Sequence, residues 1–424
     1  MFIIYDLIFL LFTLVCLPLY LLRGKFHRGF SRRLGFLPVS LNLDRPIWIH
    51  AVSVGEAVSI KSLVVELRKA YPHKKLVIST VTATGNKIAQ GLVKDGDFLT
   101  YLPLDFSFIV SRVLKRINPC LFIIAETEIW PNLICALAQQ KIPIVTVNGR
   151  ISDGSYAGYR AIKLCIRPIL SKVAQFCMQS NRDALRLQNL GVDKAKVQVT
   201  GNVKFDIPLG LSAGLETVEY RQKLFLRRAN DKLWVCGSTH PGEEELILKA
   251  YQELLVVFPG LKLLIAPRHP ERSRNIGDII SQCGFIPVFI SSINSDCPTC
   301  IKKPVFILDT IGQLLNFYSA ADIVFVGGSL VKKGGHNILE PASLKKPIVF
   351  GPHMFNFRDI VELFLENKAG VMVDNLQQLI GRIKEILGND SLARELGAAA
   401  YALIASNSGA TDRNVQIIKS LKLI

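Results

Sequence analysis

"PIWIHAVSVGEAVSIKSLVVELRKAY" (residues 46–71) decides the fold class. Its opening is dense in β-branched and aromatic residues, as a buried strand is, and its second half repeats apolar residues at helical spacing. Gly55 falls at the turn between them, and Glu56 falls in or beside the first turn of the helix. Acids favour helix N-termini because the macrodipole stabilises negative charge, which is structural reason enough for Glu56. The same position is the carboxyl end of a strand, where open α/β sheets bind their ligands. A glutamate kept ionised there by the helix N-terminus has the makings of a general base.

The strand-then-helix alternation repeats outward from this stretch, the mark of parallel βαβ units. Strand candidates in the first half are "PIWIHAV", "KLVIST", "LFIIAE", "IPIVTVN" and "QFCMQS". The pattern lapses around 206–230 and restarts with "LWVCGST", "LKLLIAP", "VFILD", "IVFVGGS", "KPIVFG" and "AGVMV". Two doubly wound α/β halves joined near 206–225 is the economical architecture, with the cleft between them as the default ligand site. A length of 424 residues, half of them hydrophobic, agrees with two domains and a sizeable core.

The formal net charge of +17 points to an anionic partner. Nucleic acid is disfavoured, because the basic residues are not interleaved with aromatics and no zinc finger or basic zipper is present. The N-terminus favours a membrane. "FIIYDLIFLLFTLVCLPLYLL" (2–22) is about long enough to cross a bilayer, is interrupted only by Asp6 and Pro18, and is followed by Arg23, Lys25, Arg28, Arg32 and Arg33. Positive charge behind the apolar run, and no small-residue cleavage site, argue for an anchor with the remaining chain in the cytoplasm. Spanning and interfacial burial are both compatible with it, and either sets the basic cluster against anionic headgroups. Nine scattered cysteines fit a reducing compartment.

Polar residues at the strand exits carry the chemistry: "VSVGE", "TVTATG" (80–85), "AETEIWPN" (125–132) and "NGRIS" (148–152) in the first half. "TVTATG" reads equally as a helix cap. Glu126 and Glu128 have little structural reason to follow "LFIIA", and Trp130 and Pro131 open the next helix. "GNVKFD" (201–206) brings Lys204 to the interdomain region. In the second half, Ser238 or Thr239 is a candidate cap within "CGSTHPGEEE", "APRHPER" puts Arg268 and His269 at a strand exit, and "DTIGQL" leads into a helix. "FVGGSLVKKGGHNILEPAS" (325–343) offers glycines and free backbone N–H groups for an anion, and Glu340 for a ribose diol. It fits neither a P-loop nor a dinucleotide fingerprint. "CPTC" (297–300) lacks the second pair a structural zinc needs and reads as a loop. "DGD" (95–97), which resembles a metal-holding Asp-x-Asp, reads as a turn.

These motifs, in order from the N-terminal segment to "ATDRNV", resemble the bacterial Kdo transferases, which move 3-deoxy-D-manno-octulosonic acid (Kdo) from CMP-Kdo to a lipid A precursor. The resemblance implies a glycosyltransferase B-type fold with an anchor (1–24), an acceptor-binding Rossmann-like domain (25–206) and a CMP-sugar-binding one (207–424). It implies an inverting transfer with no cofactor and no catalytic metal, on the cytoplasmic side of the inner membrane. It implies that Glu56 is the general base, assisted by Glu126 and Lys204. Pro267, Arg268, Gly312, Gln313, Leu314, Asn337, Ile338, Leu339 and Glu340 would bind the CMP moiety. Gln313 departs from the family's usual Glu, which puts a side-chain role there in doubt. Family members differ in how many Kdo units they add. The alternative is another B-type glycosyltransferase using a UDP-sugar on a lipid acceptor.

Overall fold

The structure, a computed structural model, describes residues 5–11, 13–15, 29–207, 215–226, 228, 231–293 and 303–422. It divides into two units, Met1–Asp206 with Asn407–Ile424, and Ile207–Ser406. Each is a seven-stranded, all-parallel sheet flanked by helices, the B-type glycosyltransferase plan.

In the first unit the strands are β1 (Ile47–His50), β2 (Leu76–Thr80), β3 (Phe98–Tyr101), β4 (Leu121–Ala125), β5 (Ile144–Gly149), β6 (Gln175–Met178) and β7 (Val197–Val199). Their order is β3-β2-β1-β4-β5-β6-β7, so the chain reverses direction across the sheet between β1 and β4. Both faces of the sheet are buried, which is why these strands read as apolar runs rather than alternations. Trp48 and Phe122 meet edge to face at 4.9 Å on one side. On the other, Ile49 and Ile123 pack on the helix Lys61–Ala70.

The second unit contains β8 (Leu233–Thr239), β9 (Lys262–Pro267), β10 (Ile286–Phe289), β11 (Pro304–Ile307), β12 (Ile323–Val326), β13 (Ile348–Phe350) and β14 (Val371–Met372). The order β10-β11-β9-β8-β12-β13-β14 puts its reversal between β8 and β12. Trp234, Phe325 and Tyr251 are fully buried in its core. Cys297 and Cys300 lie outside the described residues.

Two expectations, the bounds of the second domain and the setting of Arg32 and Arg33, need correction. The second domain does not run to residue 424: the helix Ala410–Ser420 packs on the helix Lys61–Ala70 of the first unit, with Val415 and Ile418 in its core. The Asp206 carboxylate holds it there, accepting hydrogen bonds from the N–H groups of Gly409, Ala410 and Thr411 at 2.6, 3.1 and 2.6 Å. Charge at the helix N-terminus and three otherwise unsatisfied donors explain the attachment.

Of the expected anchor, residues 5–11 and 13–15 are described and helical, and no described helix is long and apolar enough to cross a membrane. Asp6, read as an interruption of the apolar run, is its attachment point. Its carboxylate accepts from the Ser107 N–H at 3.0 Å, the Ser107 hydroxyl at 2.5 Å and Asn132 Nδ2 at 2.7 Å. Phe9 packs edge to face on Phe106.

Arg32 and Arg33 were assigned to a headgroup-facing cluster. Instead Arg32 donates to the Leu99 carbonyl at 2.7 Å, and Arg33 is buried beside the Leu102 carbonyl. Both serve as staples across the edge of the first sheet.

Candidate active site

In an open parallel sheet the strands on either side of a reversal send their connections to opposite faces, leaving a crevice at their carboxyl ends. The polar strand exits singled out in the sequence cluster at these reversals in both units.

In the first unit, Glu56 follows β1 and Glu126 and Glu128 follow β4. Ser53 caps the helix Val54–Ser59, its Oγ accepting from the Glu56 N–H at 3.4 Å and donating to Glu56 Oε1 at 2.9 Å. The Val52 N–H donates to Glu56 Oε2 at 2.7 Å. This reciprocal capping fixes the carboxylate's direction. A Cβ on Gly85 would stand 3.2 Å from the Ser53 carbonyl carbon, so glycine there lets the helix Ala83–Ala89 come up behind the cap. Thr82 caps that helix, so "TVTATG" is structural as well as adjacent.

The helix N-terminus does not keep Glu56 firmly ionised, as the sequence suggested. Glu56 is only 7 % exposed, and burial, opposed by the Val52 and Ser53 hydrogen bonds but reinforced by the charges of Glu126 and Glu128, raises its pKa to about 7. Glu128 is also raised, by burial first and by Glu126 second. The three carboxylates therefore form one group, with Glu56 balanced near neutrality.

Backbone strain marks the same place. Glu126 (φ 58°) and Asn148 (φ 53°), at the ends of neighbouring β4 and β5, are both in the left-handed region, which costs a non-glycine residue about 1–3 kcal/mol and concentrates at functional sites. Buried Asn148 accepts from the Val203 N–H through Oδ1 at 3.1 Å. That bond ties the turn Val203–Phe205, which carries Lys204, to the end of β5.

In the second unit the first part of the glycine-rich stretch, Gly328–Leu330, is already occupied by a side chain of the protein. The fully buried Glu243 carboxylate fills that nest, accepting from the N–H groups of Gly328, Ser329 and Leu330 at 2.7, 3.0 and 3.0 Å, and from His240 at 2.9 Å. Neither Ser238 nor Thr239 caps the next helix; Ser238 is strained at φ 59°, and the Thr239 hydroxyl donates to Glu244. The positive charge is supplied by side chains. The His240 and His336 rings lie with parallel planes and their Nε2 atoms at hydrogen-bond distance, 2.8 Å apart. Gly328 allows this, since a Cβ there would meet both rings at 3.0–3.3 Å. Burial, together with nearby cations including Arg268, keeps both histidines neutral, His336 near pKa 4. Exposed Arg268 and Lys333 beside this pair are the groups that can meet a phosphate.

The other assigned residues are distributed along the same edge. Pro267 ends β9, and the Arg268 N–H donates to the Thr239 carbonyl at 3.0 Å. Gly312 (φ 93°) and Gln313 precede the helix Leu314–Ala320, and among the described residues Gln313 Oε1 is shielded from solvent with no hydrogen-bond partner. Asn337 donates to Glu340 Oε1 at 3.1 Å, and the pKa of that carboxyl is raised by burial. Ile338 and Leu339 point into the core, leaving only their backbone for a ligand. "DGD" is a turn, in which Asp97 pairs with Arg68 at 2.6 Å and accepts from the Leu76 N–H at 2.8 Å. No group of three His, Cys, Asp or Glu side chains able to hold a metal occurs among the described residues.

Sequence reasoning left Glu128, Asn148, Lys333 and the two histidines without roles. All of them sit inside quoted motifs, Asn148 as the first residue of "NGRIS", and that position at a strand exit was the available signal.

The family model described as 3-deoxy-D-manno-octulosonic-acid transferase matches residues 28–207. A 3-deoxy-D-manno-octulosonic acid transferase of Haemophilus influenzae is 35 % identical over 96 % of both chains. The enzyme of that name from Chlamydophila psittaci is 33 % identical, over 88 % of this chain and 85 % of its own. A solved glycosyltransferase from Rickettsia africae shares the fold at 16 % identity and a TM-score of 0.55, over 89 % of this chain and 98 % of its own. With relatives matched along almost its whole length and the motif residues gathered at both sheet reversals, the chain belongs to the 3-deoxy-D-manno-octulosonic acid transferase family.

Proposed function

We propose that the protein transfers Kdo from CMP-Kdo to a lipid A precursor, lipid IVA, with inversion and without a catalytic metal. The observation that carries the mechanism is Glu56, held by its own cap at the reversal of the first sheet with a pKa of about 7. A base with that affinity is unprotonated in a large fraction of molecules at cytoplasmic pH yet still basic enough to be effective. Glu56 takes the proton of the acceptor hydroxyl as its oxygen bonds to the anomeric carbon of Kdo. The anomeric C–O bond to the phosphate breaks, and CMP leaves with the electron pair. Glu126 and Lys204 are assigned to the transition state.

On the donor side, Arg268 and Lys333 meet the phosphate, and Glu340, oriented by Asn337, meets the ribose diol. Gly312–Leu314 contact the cytidine, where the partnerless Gln313 Oε1 can accept a hydrogen bond. Fixed cations stabilise the leaving charge without a metal.

The protein works at the cytoplasmic face of the inner membrane. Support comes from the apolar N-terminal run and from Leu7, Leu11, Leu14 and Val15, each more than half exposed. The test is mass spectrometry of lipid IVA after incubation with CMP-Kdo and purified protein. Addition of one or more Kdo masses, with release of CMP, is expected. Transfer from UDP-sugars instead would contradict the proposal.

A further inference from the structure

A pocket of about 430 Å³ opens in the first unit beside the carboxylate cluster, lined by Tyr5, Ile8, Ile129, Tyr159, Ile166 and Ile169, among others. Its size is that of a small-molecule site. Three observations define its occupant.

First, it adjoins Glu128 of the carboxylate cluster. Ile129 follows Glu128 directly in the chain, and the charge of Glu128 is felt at the Tyr159 phenol.

Second, its walls are almost wholly apolar, because the polar groups around it are turned elsewhere. Asn132, also in the lining, spends its Nδ2 on Asp6 and on the Asp105 carbonyl, at 2.7 and 2.6 Å. A sugar or phosphate would find few partners there, whereas an alkyl chain needs none.

Third, the apolar path continues outward. Ile8 stands at the rim and also lines a shallow groove with Leu7, Leu11 and Val15 on the exposed face of the N-terminal helix. Ile162, also in the lining, is half exposed, and Leu164, two residues on, is exposed. The pocket thus leads from an apolar surface to the carboxylates, which is the route of a lipid whose head is the reacting part.

We infer that this pocket takes one fatty acyl chain of the acceptor and so holds the acceptor hydroxyl in register with Glu56. The inference rests on the transferase reading given above. It assigns the helix containing Tyr5 and Ile8 a place in the acceptor site in addition to any anchoring.

The test compares two acceptors with the full-length protein and CMP-Kdo, in one detergent: the acylated lipid A precursor and its fully deacylated, phosphorylated disaccharide. The readout is the ratio of kcat/KM for the acylated acceptor to that for the deacylated one. Ile166→Trp, which fills the pocket, is expected to lower this ratio tenfold or more, chiefly through KM for the acylated acceptor. Ile162→Trp, at a half-exposed site on the rim that tolerates bulk, is expected to lower it in the same sense and keeps the test decisive if Ile166→Trp does not fold. Leu164→Gln, on the same surface but outside the pocket, is expected to leave the ratio as in wild type. An unchanged ratio in the pocket variants, or an equal fall in Leu164→Gln, would overturn the acyl pocket while leaving the transferase reading intact. Failure of the wild type to transfer to either acceptor would overturn both.

Discussion

The Glu243 carboxylate accepts a hydrogen bond from the Ser329 N–H at 3.0 Å, and with it occupies the glycine-rich nest that follows β12. A side chain of the protein has taken the place a phosphate takes in other folds. The nest therefore shapes the start of the loop that carries His336. Glu243→Gln replaces one accepting oxygen with an amide that faces backbone donors. Hydrogen bonds to charged groups are worth about 1.5–3 kcal/mol each, so a loss of about 3 kcal/mol in unfolding free energy is expected. Denaturant unfolding checks this, and a stability equal to wild type would show that the nest is not held by that carboxylate.

The carboxylate cluster fixes the pH dependence of transfer. Because Glu56 titrates near 7, kcat/KM is expected to rise through about pH 7 and then level off. The charge of Glu128 helps hold that value up, so Glu128→Gln should move the midpoint to lower pH. A midpoint that stays in place, or moves upward, would contradict the coupling.

The same shift has a stability consequence. A carboxyl raised from 4.5 to about 7 by folding stabilises the folded state in its protonated form, and that contribution is lost as pH rises from about 4.5 through 7. Glu56→Gln should then be more stable than wild type above pH 7, by at most about 3 kcal/mol, and gain nothing below pH 4. Thermal unfolding across pH 4–8 measures the difference.

Asp6 sets the position of the N-terminal helix. Asp6→Ala removes three hydrogen bonds to Ser107 and Asn132. The helix should become accessible to protease near residue 15 while CMP binding, assigned in the proposed function to residues beyond 260, is retained. Equal protease resistance in wild type and variant would show that Asp6 does not dock the helix.

Chelation is expected to leave transfer unchanged. The one Asp-x-Asp in the chain is a turn whose Asp97 is already engaged by Arg68 and two backbone N–H groups. Loss of activity in EDTA, restored by magnesium or manganese, would reverse this.

The parallel βαβ plan was legible because buried parallel strands are unbroken apolar runs, and β1, β4 and β12 stand out at once. Two edge strands were not. β7 (Val197–Val199) is three residues with two exposed, and the apolar run of β10 (Ile286–Phe289) contains Pro287, which demotes it as a strand. The return of the last helix to the first unit was hidden too, because Asp206 and Thr411 are 205 positions apart and each reads locally as an ordinary loop or cap residue. At the site, residue identity and strand position pointed to Glu56 and Arg268. What sequence could not convey was occupancy. The nest after β12 looks like an anion site until Glu243 is found inside it, and Arg33 looks like a headgroup ligand until it is found buried. The ionisation of Glu56 was likewise misjudged from its helix alone, because burial and two neighbouring acids outweigh the hydrogen bonds from Val52 and Ser53 at the helix start.

The most direct test is the rate of Kdo transfer by Glu56→Gln, with CMP-Kdo and the acylated lipid A precursor saturating and CMP affinity measured alongside by calorimetry. A folded variant that binds CMP as wild type does and transfers at least about a hundredfold more slowly is expected, the worth of a positioned general base. Transfer within a few fold of the wild-type rate would contradict the assignment of Glu56 as the base.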